Sequence, residues 1–380
     1  MKTHVLFRAL VVSALILSYG FAPARSAAEP IVIGEYASLT GKEAGFGQTS
    51  HQGVVLALEE INAAGGVLGR PLELAYEDNQ TKSGESATVA KKLISRNKVI
   101  ALIGEISSGR SLEAAPIAQL AHIPMIAPAA TNPKVTQTGN YIFRVCFIDS
   151  FQGAALARFA RNDLKVKNVA VLSSVSNAYS LGLAKYFKEI FLASGGAIST
   201  EKNFSEGDKD FRAQLTAVKA AGVDAVFVPG YYTEAALIVR QARELGLTMP
   251  FFGGDGWEDE QLLKIGGDAL NGCFYSTHFS AENTDPAVAQ FVVRYRARWQ
   301  GEIPGAFSAL GYDAVNVLAN ALKRAGTTDS AKLRDALAAT KDFPGVTGVT
   351  TINPERNASK AATIIALKDG RARFYKTVAP

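Results

Sequence analysis

Four short segments hold residue types that could do chemistry together. Gly104-Glu105-Ile106-Ser107-Ser108 leaves an apolar run and enters a helical one. A hydroxyl and free backbone N–H groups at a helix start make an anion site; on the alternative reading, Ser107 or Ser108 only caps the helix. Pro128-Ala129-Ala130-Thr131-Asn132-Pro133 follows the next apolar run. Its prolines hold the backbone extended or turned, as a ligand-facing loop or simply a rigid one. Gly230-Tyr231-Tyr232 and Gly253-Gly254-Asp255-Gly256-Trp257 add tyrosines, a carboxylate and glycines that let backbone approach a ligand closely. Asp255 could balance a cation or serve as a turn residue. Taken together, hydroxyls on one side and a carboxylate with tyrosines on the other suit a zwitterion.

Signatures of catalysis are missing from the chain. It has no H-E-x-x-H, no G-x-S-x-G and no Walker A loop, and no G-x-G-x-x-G follows the first apolar run. Gly41-Lys42 lacks the glycine spacing and hydroxyl of a P-loop. His51, His122 and His278 stand at ligand spacing neither to one another nor to a cysteine, so no metal site is expected. Each is read as a solvated or capped surface histidine. The expectation is a non-enzyme without cofactor or metal.

The segments that position these residues alternate between strand and helix. Ile31–Ala37, Leu72–Tyr76, Val99–Ile103 and Pro124–Ala127 read as strands, with helices between them around Val54–Ile61 and Ala87–Ile94 and another beginning near Ser108. After Tyr141–Phe147 the rhythm restarts. Val169–Leu172, Ala225–Val228 and Phe251–Gly253 read as strands, and Leu181–Leu192, Phe211–Ala220 and Glu234–Leu245 as helices. Long helices over Pro286–Trp299 and Ala306–Lys323 carry no third set of strands, so they are expected to return to the first unit. Strands near Thr350–Ile352 and Ala362–Leu367 close the chain. This is the pattern of two α/β units with parallel sheets. The four chemical segments then fall at carboxyl ends of strands, where open parallel sheets bind ligands.

Residues 1–28 read as a secretory signal peptide: Lys2 and Arg8, an apolar core over Ala9–Leu17, then Ser26-Ala27-Ala28. Cleavage is placed after Ala28, with Ala24 or Ala27 as alternatives. The core is shorter than the roughly 20 apolar residues of a membrane span. Losing Lys2, Arg8 and Arg25 lowers the formal charge from +5 to +2. No basic cluster interleaved with aromatics remains, so no nucleic-acid partner is expected. No cysteine follows the signal core to carry a lipid anchor, which points to the periplasm.

The ordered segments IVIGEYASLTG, INAAGGVLGRPLEL, ALIGEISSG, APAAT, GYYTEAALIVRQARELG, GGDGW and GAFSALGYDAV make the chain resemble the periplasmic branched-chain amino-acid-binding proteins of ABC importers. The resemblance covers nearly the whole chain after the signal segment. It implies a type I clamshell, two doubly wound parallel-sheet α/β lobes joined by crossing hinge strands. The lobes would be residues 29–146 with 276–346, and 147–275 with 347–380. It further implies that Ser108 holds a ligand carboxylate and that Ala129 and Thr131 grip carboxylate and ammonium. Tyr231 would close from the second lobe, and Asp255 would meet the ammonium. Phe46, Ile106, Ala130, Tyr179 and Phe307 would surround the ligand side chain. Phe46 replaces a frequent tyrosine of the family, and Asp255 is one methylene shorter than the usual glutamate. The implied partners are a small amino acid, aliphatic or branched-chain, and an inner-membrane permease, with the protein itself a monomer. A periplasmic sensor subunit, or a binder of a related carboxylate or amide, is the alternative. Cys146 and Cys273 lie where the chain passes between lobes, on passages that neighbour each other in this family. They would form a disulfide or stay as two buried thiols.

Overall fold

The computed structural model describes residues 28–380, so all but the last residue of the signal-peptide reading lies outside the described residues. The first sheet contains β1 (Ile31–Ala37), β2 (Leu72–Asp78), β3 (Leu102–Ile103), β4 (Met125–Ala127) and β5 (Ile142–Arg144), in the order β2-β1-β3-β4-β5. Every pairing in it is parallel. β1, β3 and β4 are buried almost throughout, as expected of strands covered on both faces. The cover comes from α1 (Ala44–Ala63), α2 (Glu85–Ser95) and α3 (Ser108–Leu120), with the short α4 (Lys134–Gln137) beyond.

α5 (Asp149–Asn162) begins the second unit. Its sheet contains β6 (Asn168–Ser174), β7 (Ala197–Phe204), β8 (Ala225–Phe227), β9 (Phe251–Gly253) and β10 (Cys273–Thr277). Interspersed are α6 (Ala178–Ala193), α7 (Arg212–Ala221), α8 (Tyr232–Glu244) and α9 (Glu260–Gly266). α10 (Pro286–Arg298), α11 (Ala306–Ala325) and α12 (Ser330–Ala338) follow, with α11 packed along α1 of the first unit. Gly53 and Gly311 make that approach possible, because a Cβ on either would meet the backbone oxygen of Ser308 or Ser50 at 1.9 or 2.5 Å. α10 also touches α1, and α12 packs on α11.

Two closing strands were read from the sequence, and the structure has four. β11 (Phe343–Gly345) and β12 (Gly348–Thr350) form a small hairpin, while β13 (Ala362–Lys368) and β14 (Arg371–Val378) join the second sheet. That sheet runs β14-β13-β10-β9-β8-β6-β7, with β13 antiparallel to β10 and β14 antiparallel to β13. The sequence reading passed over β7 and β14 because both are edge strands, mostly exposed and polar. Edge strands carry charge to block further pairing and so lose the apolar signature.

The chain crosses between units after β5, after β10 and before β13. The crossings touch one another: Arg144 N donates to Arg356 O at 3.2 Å, and the Phe147 and His278 rings stack 3.7 Å apart. The disulfide is overturned here, for Cys146 and Cys273 are free buried thiols. Cys273 opens β10, whereas the crossing lies past Thr277 at its other end. Four strand steps put the cysteines' segments about 13 Å apart, beyond the reach of a disulfide.

Candidate functional site

The first unit builds its half of the site on the turn after β3. Gly104 takes φ +144°, and a Cβ there would lie 2.3 Å from Tyr36 O, so only glycine fits. Glu105 then anchors the turn. Its carboxylate accepts from Ser38 N (2.9 Å), Ser38 Oγ (2.6 Å), Asn79 Nδ2 (2.8 Å) and Ser107 N (2.8 Å). Ser107 stands at the N-cap of α3 but makes no capping bond. Its hydroxyl lies 2.7 Å from Glu43 Oε2 and 3.0 Å from Glu105 Oε2 instead. The start of α3 is therefore left uncapped by side chains, with Ser108 as its first residue.

Ser108 Oγ accepts from Asn132 N at 3.2 Å, tying α3 to the loop after β4. Buried Arg144 straightens that loop by donating to Ala130 O and, at 2.8 Å, to Asn132 O. Asp149 N donates to Thr131 O at 2.9 Å. With these carbonyls engaged, the loop presents Ala129 and Thr131 beside Ser108.

The second unit supplies the opposing half from the ends of β8 and β9. Asp255 opens a short 3-10 turn held by Trp257, whose buried indole donates to Val228 O at 3.0 Å. Gly256 N donates to Tyr179 Oη at 3.1 Å, and the Tyr179 and Tyr231 rings stack 5.5 Å apart. A Cβ on Gly256 would lie 2.6 Å from Gly230 O, so glycine lets the turn reach the tyrosines. Asp255 is 3% exposed. Gln152 Nε2 lies 2.8 Å from its Oδ1, and His278 Nε2 lies 3.0 Å from its Oδ2.

The two halves face each other across a small pocket whose empty space, counting what is open to solvent, is about 200 Å³. Ser108, Ala129 and Thr131 line it from the first unit, and Asp255, Gly256 and Tyr179 from the second. Phe46, Ile106, Tyr231 and Phe307 complete the wall. Phe46 meets Tyr231 and Phe307 edge-on at 5.2 and 5.0 Å. Ala130 is fully buried and does not line the cavity; its carbonyl faces Arg144 instead.

Sequence reading missed the residues behind this wall. Glu105, Arg144, Gln152 and His278 hold the lining in place without lining it. His278 is a correction, because it is a buried residue and not a surface one. Only its position one residue past β10, at a strand's carboxyl end, could have signalled it. His51 is also corrected: it is half-buried, and its Nδ1 lies 2.6 Å from Glu35 Oε2. His122 is exposed, as expected.

Residues 30–372 match the family model described as periplasmic binding protein. The chain belongs to that family. Among curated relatives, a leucine-, isoleucine-, valine-, threonine- and alanine-binding protein of Pseudomonas aeruginosa is 33% identical, over 84% of this chain and 85% of its own. Among solved structures, the leucine binding protein LivK of Thermotoga maritima is similar with TM-score 0.89 and 39% identity, covering 92% of this chain and 99% of that one. The branched-chain amino acid transporter substrate binding protein LivJ of Streptococcus pneumoniae, in complex with isoleucine, has TM-score 0.88 and 36% identity over 92% of this chain and 100% of its own.

Electrostatics in this periplasmic binding protein follow from burial. The Glu43 carboxyl is pushed up to about 8 by burial first and by the charge of Glu105 second. Asp149 is also pushed up to about 8, chiefly by burial, with Asp255 adding to the shift. Burial lowers His278 below the ordinary histidine range against the pull of Asp255. Across the cleft mouth, Lys42 Nζ pairs with Glu206 Oε2 at 2.8 Å and Tyr232 Oη donates to Lys42 O at 2.8 Å. The lobes are thus closed on each other. Among the described residues no His/Cys/Asp/Glu group is arranged to hold a metal, and no helix is long and apolar enough to cross a membrane.

Proposed function

We propose that the cleft captures an L-amino acid with an aliphatic side chain in the periplasm and delivers it to an ABC importer. The observation that carries this reading is the opposition of unlike ends across one small cavity. Ser108 at the uncapped start of α3, with Thr131, faces Asp255 from the other lobe, and apolar rings close the remaining wall. A helix N-terminus with a hydroxyl favours a carboxylate, and a buried carboxylate favours an ammonium. The rings Phe46 and Phe307 offer a side chain an apolar wall and no polar partner. The three relatives named above are a leucine-, isoleucine-, valine-, threonine- and alanine-binding protein, a leucine binding protein and a protein in complex with isoleucine, which agrees with that wall. Release of the ligand to a permease follows from reopening of the lobes about their crossings, with the binding protein acting as a monomer.

Isothermal calorimetry on the mature protein against the twenty amino acids tests the reading. The expected result is micromolar or tighter binding of leucine, isoleucine or valine, about −8 kcal/mol or stronger. No heat with any amino acid, together with binding of a carboxylate lacking the α-ammonium, would overturn it.

A further inference from the structure

Neither Gln152 nor His278 lines the cavity, yet each lies against one oxygen of Asp255, at 2.8 and 3.0 Å. His278 follows β10, is 4% exposed and lies flat on Phe147 at 3.7 Å. Its Nδ1 is buried and has no hydrogen-bond partner. A doubly protonated ring would bury a charged N–H there without an acceptor, which is costly. A neutral ring with its hydrogen on Nε2 leaves only a lone pair at Nδ1 and donates to Asp255. The surroundings agree. Burial is the main force lowering His278, Asp255 opposes it, and the Lys360 charge adds to it. On the crossing that carries Phe147, the charge of Asp255 helps raise Asp149, and the charge of Lys360 pulls Cys146 down against the burial that raises it. Gln152, the donor on the other oxygen, is neutral by its chemistry.

We propose that His278 is a positioning residue for ligand capture: as an uncharged imidazole it donates from Nε2 to Asp255 and aims that carboxylate, with its charge intact, at the ligand's ammonium. A cationic side chain in its place would aim Asp255 equally well but neutralise it. Two neutral donors fix both oxygens and leave the negative charge for the ligand. This inference rests on the amino-acid reading of the cavity.

The test is calorimetric titration with L-leucine between about pH 7.5 and 5 on wild type, His278→Gln, His278→Phe and Asp255→Asn, each first shown to melt cooperatively. A proton on His278 puts a positive charge beside the ammonium's seat, so the wild type should lose affinity as pH falls. His278→Phe removes the donor and should weaken binding about tenfold or more at pH 7.5. His278→Gln keeps an uncharged N–H and should restore most of that loss while lacking the acid-side fall. Wild-type affinity in His278→Phe, or an undiminished acid-side fall in His278→Gln, overturns the proposal. If His278→Phe does not fold, the pH profile of His278→Gln decides alone. Asp255→Asn separates the two levels: loss there with wild-type binding in His278→Phe sinks only the positioning role, whereas wild-type binding in Asp255→Asn sinks the reading of the site itself.

Discussion

Asp255→Asn is the substitution that most directly probes how the cleft selects its ligand. Asp255 is 3% exposed, with both oxygens fixed from behind by Gln152 and His278. Two unit charges about 4 Å apart at an effective dielectric near 20 attract by about 4 kcal/mol. Removing one partner of a buried charge pair costs about 2–5 kcal/mol, because the other charge is left unpaired. At about 1.4 kcal/mol per decade, L-leucine should bind the variant between roughly thirtyfold and several thousandfold more weakly. Asparagine is chosen because alanine would strand two buried donors, at about 1–3 kcal/mol each, and confuse binding with folding. Asparagine keeps one carbonyl acceptor for these donors, so it perturbs the fold less than alanine. Calorimetric titration reads the affinity, and a melting curve checks the fold. Binding within threefold of wild type, with an unchanged melt, would refute the assignment of Asp255 to the ammonium.

Other expectations follow from the same structure. Ser108→Ala and Thr131→Ala should each cost about 1–3 kcal/mol of binding, and the double variant should cost less than the sum because both serve one head group; strict additivity in calorimetry would separate their roles. Burial pushes the Cys146 and Cys273 thiols up to about 12 and about 11, so a maleimide should label neither in the folded protein and both after denaturation, with a single label per chain or none counting against free thiols. Glu43 is raised from 4.5 to about 8 in the folded protein. Its contribution to stability is complete below its unfolded value and is lost as pH rises through about 8, because the folded state holds the extra proton in that window. Glu43→Gln should therefore reduce the fall in melting temperature between about pH 5 and 9, though not abolish it, since Asp149 is raised to about 8 as well. An unchanged profile would place the titration elsewhere.

Much of this protein was legible in one dimension. The alternation of apolar strands and amphipathic helices specifies two mainly parallel sheets, because strands covered on both faces must be largely apolar, as β1 (but for Glu35) and β4 are. Turns rich in Gly, Ser and Pro at strand ends mark where backbone groups stay free, and Ser108, Ala129, Thr131, Tyr231 and Asp255 from those turns line one cavity, whereas Phe46, Tyr179 and Phe307 were reached only through the family resemblance. Edge strands β7 and β14 stayed hidden because exposure removes the apolar signature.

What only the tertiary structure decided is which groups are neighbours across long chain separations. Gln152, Asp255 and His278 carry no common motif, and they meet because α5, the turn after β9 and the end of β10 converge. Likewise Cys146 and Cys273 looked like partners on adjoining passages, yet β10 carries Cys273 to its far end. Sequence pattern reports whether a residue faces a core or a solvent, since that choice is made within its own element. Direction and depth along a strand set the distance between elements, and only the packed sheets determine those.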